Sequence, residues 1–378
     1  MNKTTKYIIW AIIIVGIALA IYALSSKPGS SPAAGEPIKI GFIGPLTGDG
    51  SNIGQNSKAA TEISVDEVNK AGGINGRPIE MIYEDGKCNG KEAVSAVNKL
   101  INIDKVSVIF GGACSAETMA ITSITEQAKM PTLSYCSSNP AITNAGDYIF
   151  RNIPSDSFQG SFAADYIFNT LAKKNVAVLF GKSDWATGIK EVFVKEFEKL
   201  GGKIVADEGY EQTATDLRSQ LTKIKASKPE LLYFLGYSDA SIPGLKQAAD
   251  LKLNVPMFGG DAWDDKKIYE GAGKAAEGIM YSVPFAPMSD DFKAKMNAKT
   301  GTNEVTECSP QAYDGVKILA QVLSKAGLDP EAIKNELYKV DYKGGVSANE
   351  IKFDSNGDLI GASYIVKVVK NGVSEEVK

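Results

Sequence analysis

Short β-branched apolar runs alternate along this chain with longer stretches whose apolar residues recur every third or fourth position. The runs lie at Ile38–Gly44, Ile79–Glu84, Val106–Gly111, Thr132–Cys136, Val176–Gly181, Ile204–Gly209, Leu231–Gly236, Met257–Gly260 and Ile279–Pro284. Their length, β-branching and Gly, Pro, Asn or Ser borders predict strands. Between them, Ser57–Ala71, Lys91–Ile103, Ala116–Lys129, Lys190–Leu200, Asp216–Ser227 and Ile242–Leu251 have the period of helices. Strand after helix after strand means βαβ units and parallel sheets. The expected fold is α/β: two similar lobes, each a parallel sheet flanked by helices, joined by a hinge and divided near Arg151–Ser155.

The last third breaks the rhythm. Helices are predicted at Pro310–Ala326 and Asp329–Val340, then strand patterns at Ile351–Phe353 and Ala362–Val369. Asn356-Gly357 between those two patterns predicts a hairpin turn. Asp354-x-Asn356-x-Asp358 resembles the start of a calcium loop, but Leu359 and Ile365 stand where that loop needs Gly and Glu. The resulting division assigns 38–153 and 284–358 to the first lobe, and 154–283 and 359–378 to the second.

The N-terminus stands apart. Lys3 and Lys6 precede an unbroken apolar run of 18 residues, Tyr7–Leu24. Such a run is just long enough to span a bilayer and long for the core of a signal peptide. Flanking lysines favour a cytoplasmic N-terminus with the body exported. Residues 1–24 therefore read as a membrane anchor or a cleaved signal, and 25–37, rich in Ser, Pro, Gly and Ala, as a flexible linker. The expected location is extracytoplasmic, periplasmic or at the cell surface.

Composition narrows the chemistry. Forty-one basic and 45 acidic residues are mixed along the chain, so a nucleic-acid footprint is absent. There is no histidine, which removes Ser-His-Asp and Cys-His catalysis and most zinc sites. No enzyme, metal or cofactor is expected. In an exported chain the four cysteines, Cys88, Cys114, Cys136 and Cys308, suggest disulfides rather than metal ligands, and no C-x-x-C spacing occurs.

In open parallel sheets, ligands bind beyond the carboxyl ends of the strands. Five such turns carry polar or aromatic groups. Gly111–Ser115 and Tyr135–Asn139 bring Ser115, Cys136 and Ser138 to first-lobe helix starts, where backbone N–H groups attract carboxylates. Lys182–Trp185, Gly236–Asp239 and Gly259–Trp263 bring Trp185, Tyr237 and Asp261 from the second lobe. One lobe suits a carboxylate, the other an ammonium and a side chain: together, a zwitterion. Taken singly, the serines could be helix caps, Asp261 another, and the aromatics packing residues. The glycines of Gly41–Gly48 miss the dinucleotide spacing, and Pro45 interrupts the turn.

Several marks in order carry a family resemblance: Ile40–Gly48, Ala71–Pro78, Tyr83-Glu84-Asp85, Ala93-Val94, Gly112–Ser115, Tyr237 and Gly259–Trp263. From residue 37 onward the chain resembles the Leu/Ile/Val-binding proteins of ABC importers, with the class I periplasmic-binding fold. The resemblance implies that Ser115 and Ser138 hold an α-carboxylate. It implies that the carbonyl of Cys136 and the carboxylate of Asp261 take the ammonium, Tyr237 adding its phenol and Trp185 covering the side chain. It also implies a Cys88–Cys114 disulfide, stabilising by about 3 kcal/mol, and leaves Cys136 and Cys308 as a second bridge or two thiols. The implied partners are an ABC permease with its ATPase, and the expected form is a monomer. The same fold could serve a sensor, or a binder of a related amide, urea-like solute or carboxylate. A sensor needs a signalling domain across the membrane, and only Met1–Lys6 precede the apolar run.

Overall fold

A computed structural model describes residues 35–377 apart from 362. The predicted anchor or signal (1–24) and nearly all of the predicted linker lie outside the described residues. Among the described residues no helix is long and apolar enough to cross a membrane.

The first sheet has the order β2-β1-β3-β4-β5, all parallel, from strands β1 (Ile38–Gly44), β2 (Ile79–Asp85), β3 (Val108–Phe110), β4 (Thr132–Ser134) and β5 (Ile149–Arg151). Helices α1 (Ser51–Lys70), α2 (Gly90–Lys99) and α3 (Ser115–Gln127) connect them. Helices covering both faces bury the strands on two sides, so they read as continuous apolar runs rather than alternating ones. Ile40, Phe42, Val108, Ile109, Phe110 and Leu133 are all fully buried.

The second sheet runs β14-β13-β10-β9-β8-β6-β7. Strands β6 (Asn175–Gly181), β7 (Lys203–Tyr210), β8 (Leu231–Leu235), β9 (Met257–Gly259) and β10 (Met280–Pro284) are parallel, and β13 (Tyr364–Lys370) and β14 (Val373–Glu376) add an antiparallel edge. Helices α4 (Asp156–Asp165), α5 (Asp184–Lys199), α6 (Arg218–Ala226), α7 (Ser238–Asp250) and α8 (Lys266–Ala272) accompany it. After β10 the chain returns to the first lobe through α9 (Asp290–Thr300), α10 (Ser309–Ala326) and α11 (Pro330–Leu337). There Val316, Leu319 and Val322 of α10 join the core of Ile40, Phe42 and Val108. A small pair, β11 (Tyr342–Lys343) with β12 (Glu350–Ile351), follows.

Local chemistry moves several boundaries from the predicted ones. Helix α5 begins six residues before Lys190 because Ser183 caps it, accepting the Ala186 N–H at 3.2 Å. Helix α1 begins at Ser51 rather than Ser57, after a left-handed Gly50 (φ 73°). Its polar first turn shows no apolar period. The predicted turn at Asn356-Gly357 forms, closed by the antiparallel bridge of Phe353 to Leu359 and by the N–H groups of Asp354 and Ile360 donating to the carbonyls of Asp358 (2.9 Å) and Lys352 (2.9 Å). Strand β13, however, pairs with β10 and β14 rather than with Ile351–Phe353. The Asp354 carboxylate also holds the turn, accepting the N–H groups of Asn356 (2.8 Å) and Asp358 (3.0 Å). In the segment Ala71–Pro78, Asn75 and Gly76 both have positive φ (51° and 81°), closing a two-residue turn between Ile74 and Arg77.

The sulfurs pair as Cys88–Cys114 (Cα–Cα 5.1 Å) and Cys136–Cys308 (Cα–Cα 5.2 Å). Replacing Cys88 and Cys114 together by serine is expected to lower the unfolding free energy by about 3 kcal/mol. The check is an earlier urea midpoint at unchanged slope. An unmoved midpoint would contradict it.

Candidate functional site

Strand-end turns of the two sheets face each other across a closed cleft. Asn52 of α1 donates to the Asp265 carboxylate (2.8 Å), Gln212 donates to Asp49 (3.3 Å), and Asn139 donates to the carbonyl of Asp184 (2.5 Å). These bonds join first-lobe to second-lobe elements and shut the cleft around a small space. Ser115, Cys136, Ser138, Trp185, Tyr237 and Asp261 all line it, together with Pro45, Ile53, Ala113 and Glu307.

The first-lobe wall is a helix start. Cys114 is the N-cap of α3 and Ser115 its first residue, so the N–H groups of Ser115 and Ala116 have no carbonyl four residues back to bond. Glu117 folds back beneath them and accepts the N–H groups of Ala113 (2.8 Å), Cys114 (3.0 Å) and Cys88 (3.1 Å). Burial nevertheless pushes its carboxyl up to about 7. Ser115 Oγ accepts the Asn139 N–H (3.2 Å), tying the two first-lobe turns together. Ser138 Oγ donates to the buried Asp156 (3.0 Å) at the start of α4. Neither serine is an N-cap: Cys114 and Asn139 hold those positions.

The second-lobe wall is aromatic and acidic. Trp185, in the first turn of α5, lies with its ring 5.0 Å from that of Tyr237, which precedes α7. Asp261 sits in a single helical turn after β9, 4% exposed, and accepts the N–H of its neighbour Ala262 (3.1 Å). Burial pushes its carboxyl up to about 6. Trp263 points away into the core, where its indole N–H donates to Ser241 Oγ (3.0 Å).

Three acids close to this cleft escape a reading of strand-end turns. Asp156 is fully buried and held well above the ordinary carboxyl range by burial and by the charge of Asp261. Glu117 hides inside a helix pattern. Glu307 lies just before α10, and burial and Asp261 push it well above its ordinary value. The signal for Glu307 is its neighbour Cys308, bridged to cleft residue Cys136.

Such a cavity can hold an anion at the helix start and a cation at the acids, and it encloses no His-based nucleophilic constellation. The sequence matches the periplasmic binding protein family over residues 37–373. A Leu-, Ile-, Val-, Thr- and Ala-binding protein of Pseudomonas aeruginosa is 30% identical over 91% of this chain and 93% of its own length. Among solved structures, a leucine-binding protein of Thermotoga maritima superposes with a TM-score of 0.84 at 28% identity, covering 90% of this chain and 98% of its own. A branched-chain amino acid transporter substrate-binding protein of Streptococcus pneumoniae, in complex with isoleucine, gives 0.82 at 29%, covering 90% and 99%. These relatives are solute-binding proteins, and so is this chain, which is not an enzyme. It belongs to the periplasmic binding protein family, whose members hold solutes outside the cytoplasm.

Proposed function

We propose that this protein is the solute-binding component of an ABC importer and closes its two lobes around a small amino acid with an aliphatic side chain. One observation carries the reading: six residues from five strand-end turns on two sheets line one closed cavity. The start of α3 suits the α-carboxylate, received by Ser115 and Ser138 with backbone N–H groups. The ammonium goes to the Cys136 carbonyl and the Asp261 carboxylate, with Tyr237 adding its hydroxyl and Trp185 and Ile53 enclosing the side chain. The bodies that close are 38–153 with 284–358 and 154–283 with 359–378, moving about the crossings between the sheets. Residues 1–24 tether the protein to the membrane or are cleaved as a signal, 25–37 link them to the body, and the protein acts as a monomer delivering to a permease and its ATPase.

A calorimetric panel of amino acids, benzoate, urea and acetamide on the full chain tests the ligand class. Heat with leucine, isoleucine, valine or alanine, and a much weaker response to their amide-capped forms, is the expected pattern. Binding of benzoate, urea or acetamide without any amino acid would overturn the ligand while keeping the fold.

A further inference from the structure

The cavity holds one acid more than a single ammonium needs. Asp261 comes from the second lobe. Glu307 comes from the first: it precedes Cys308, which sits in the first-lobe core and is bridged to Cys136 at the cleft. The side chain of Glu307 is half-buried, its Oε2 is shielded from solvent, and its carboxyl lies within hydrogen-bonding reach of the Asp261 carboxyl. Asp261 is 4% exposed and its carboxylate receives the Ala262 N–H. No lysine or arginine is among the described residues lining the cavity. Two like charges brought together from opposite lobes repel, and more strongly as closure expels water.

We propose that Glu307 and Asp261 form a two-carboxylate clamp, one jaw on each lobe, that takes the ligand's ammonium between them and makes closure depend on that cation. The clamp rests on the amino-acid reading above and sharpens it. A solute with a carboxylate and no ammonium would satisfy the α3 start and leave the jaws unpaired, so the cleft selects for the amine. Before the ligand binds, burial and the mutual repulsion of the pair push both carboxyls up, so that one of them keeps its proton. Asp156 and Asp264 add negative charge from the second lobe and favour that proton. Tyr237, Tyr233 and Tyr364 are all pushed well above their ordinary value by burial and stay neutral. When the ammonium arrives, its N–H groups replace the carboxyl proton, which leaves to solvent. Binding therefore releases protons.

The test is calorimetry of the full chain with leucine and with 4-methylpentanoate, its analogue lacking the amine, in buffers of different ionisation enthalpy at neutral pH. The unaltered protein should release protons on binding leucine. Glu307→Gln should weaken leucine by about tenfold or more, abolish the proton release and leave 4-methylpentanoate no weaker. Glu307→Asp, which keeps a carboxyl, should recover part of both effects. The clamp is refuted if Glu307→Gln binds leucine as tightly as the parent, weakens both solutes alike, or leaves proton release intact. If the parent gives heat with no amino acid at all, the amino-acid reading falls, and the clamp with it.

Discussion

Replacing Asp261 by alanine is expected to weaken amino-acid binding by about 2–5 kcal/mol, roughly thirtyfold to several thousandfold. Asp261 is a buried carboxylate at the cavity wall with the Ala262 N–H as donor, so the ammonium would lose a charge-assisted partner in a site that water does not reach. The same change should help the empty protein. Burial raises this carboxyl from 3.8 to about 6, so the folded state binds its proton more tightly than the unfolded chain. A raised carboxyl pKa gives stability at low pH that is lost as pH rises through about 4 to about 6. Asp261→Asn should flatten that slope in pH-dependent thermal melts while abolishing tight binding. A variant with parental affinity would remove Asp261 from the ligand site.

Arg151→Met is expected to lower stability by about 3–5 kcal/mol, through the loss of one half of a buried ion pair. The guanidinium is fully buried and grips Asp358 with two bonds, Nε to Oδ1 (2.6 Å) and Nη2 to Oδ2 (2.9 Å). It also donates to the Asn139 carbonyl (2.8 Å) and to Thr143 Oγ1 (2.8 Å). One side chain thus joins the end of β5, the turn after Ser138 and the C-terminal crossing. Without it Asp358 would be left without its cation and the Ser138 turn would loosen. Denaturant melts should show the fall in midpoint, and binding should weaken as a secondary effect. A shift below about 1 kcal/mol would place the pair among ordinary surface bridges.

The strands were legible because a parallel sheet covered on both faces writes its strands as uninterrupted apolar runs; all five residues of β8 are buried. Helix α4 was not legible: the face it buries consists of Asp156, Gln159, Gly160, Ala163 and Ala164, which carries no apolar period. Helices α8 and α9 begin at polar caps, Asp265 and Ser289; α8 has only 7 residues, and α9 buries just Phe292 and Met296. In the site, the residues that follow strands directly could be placed by the rule that ligands sit at strand carboxyl ends. Glu307 follows no strand. It reaches the cavity because a disulfide spanning 172 residues carries its neighbour there, and spacing alone gives no reason to pair Cys136 with Cys308.

The orientation of the bound amino acid is the most direct test. A crystal structure of the chain grown with isoleucine should show closed lobes, with the ligand carboxylate at the N-terminus of α3 beside Ser115 and the ammonium within hydrogen-bonding distance of Asp261. An empty cleft, or isoleucine reversed so that its carboxylate faces Asp261, would contradict the account.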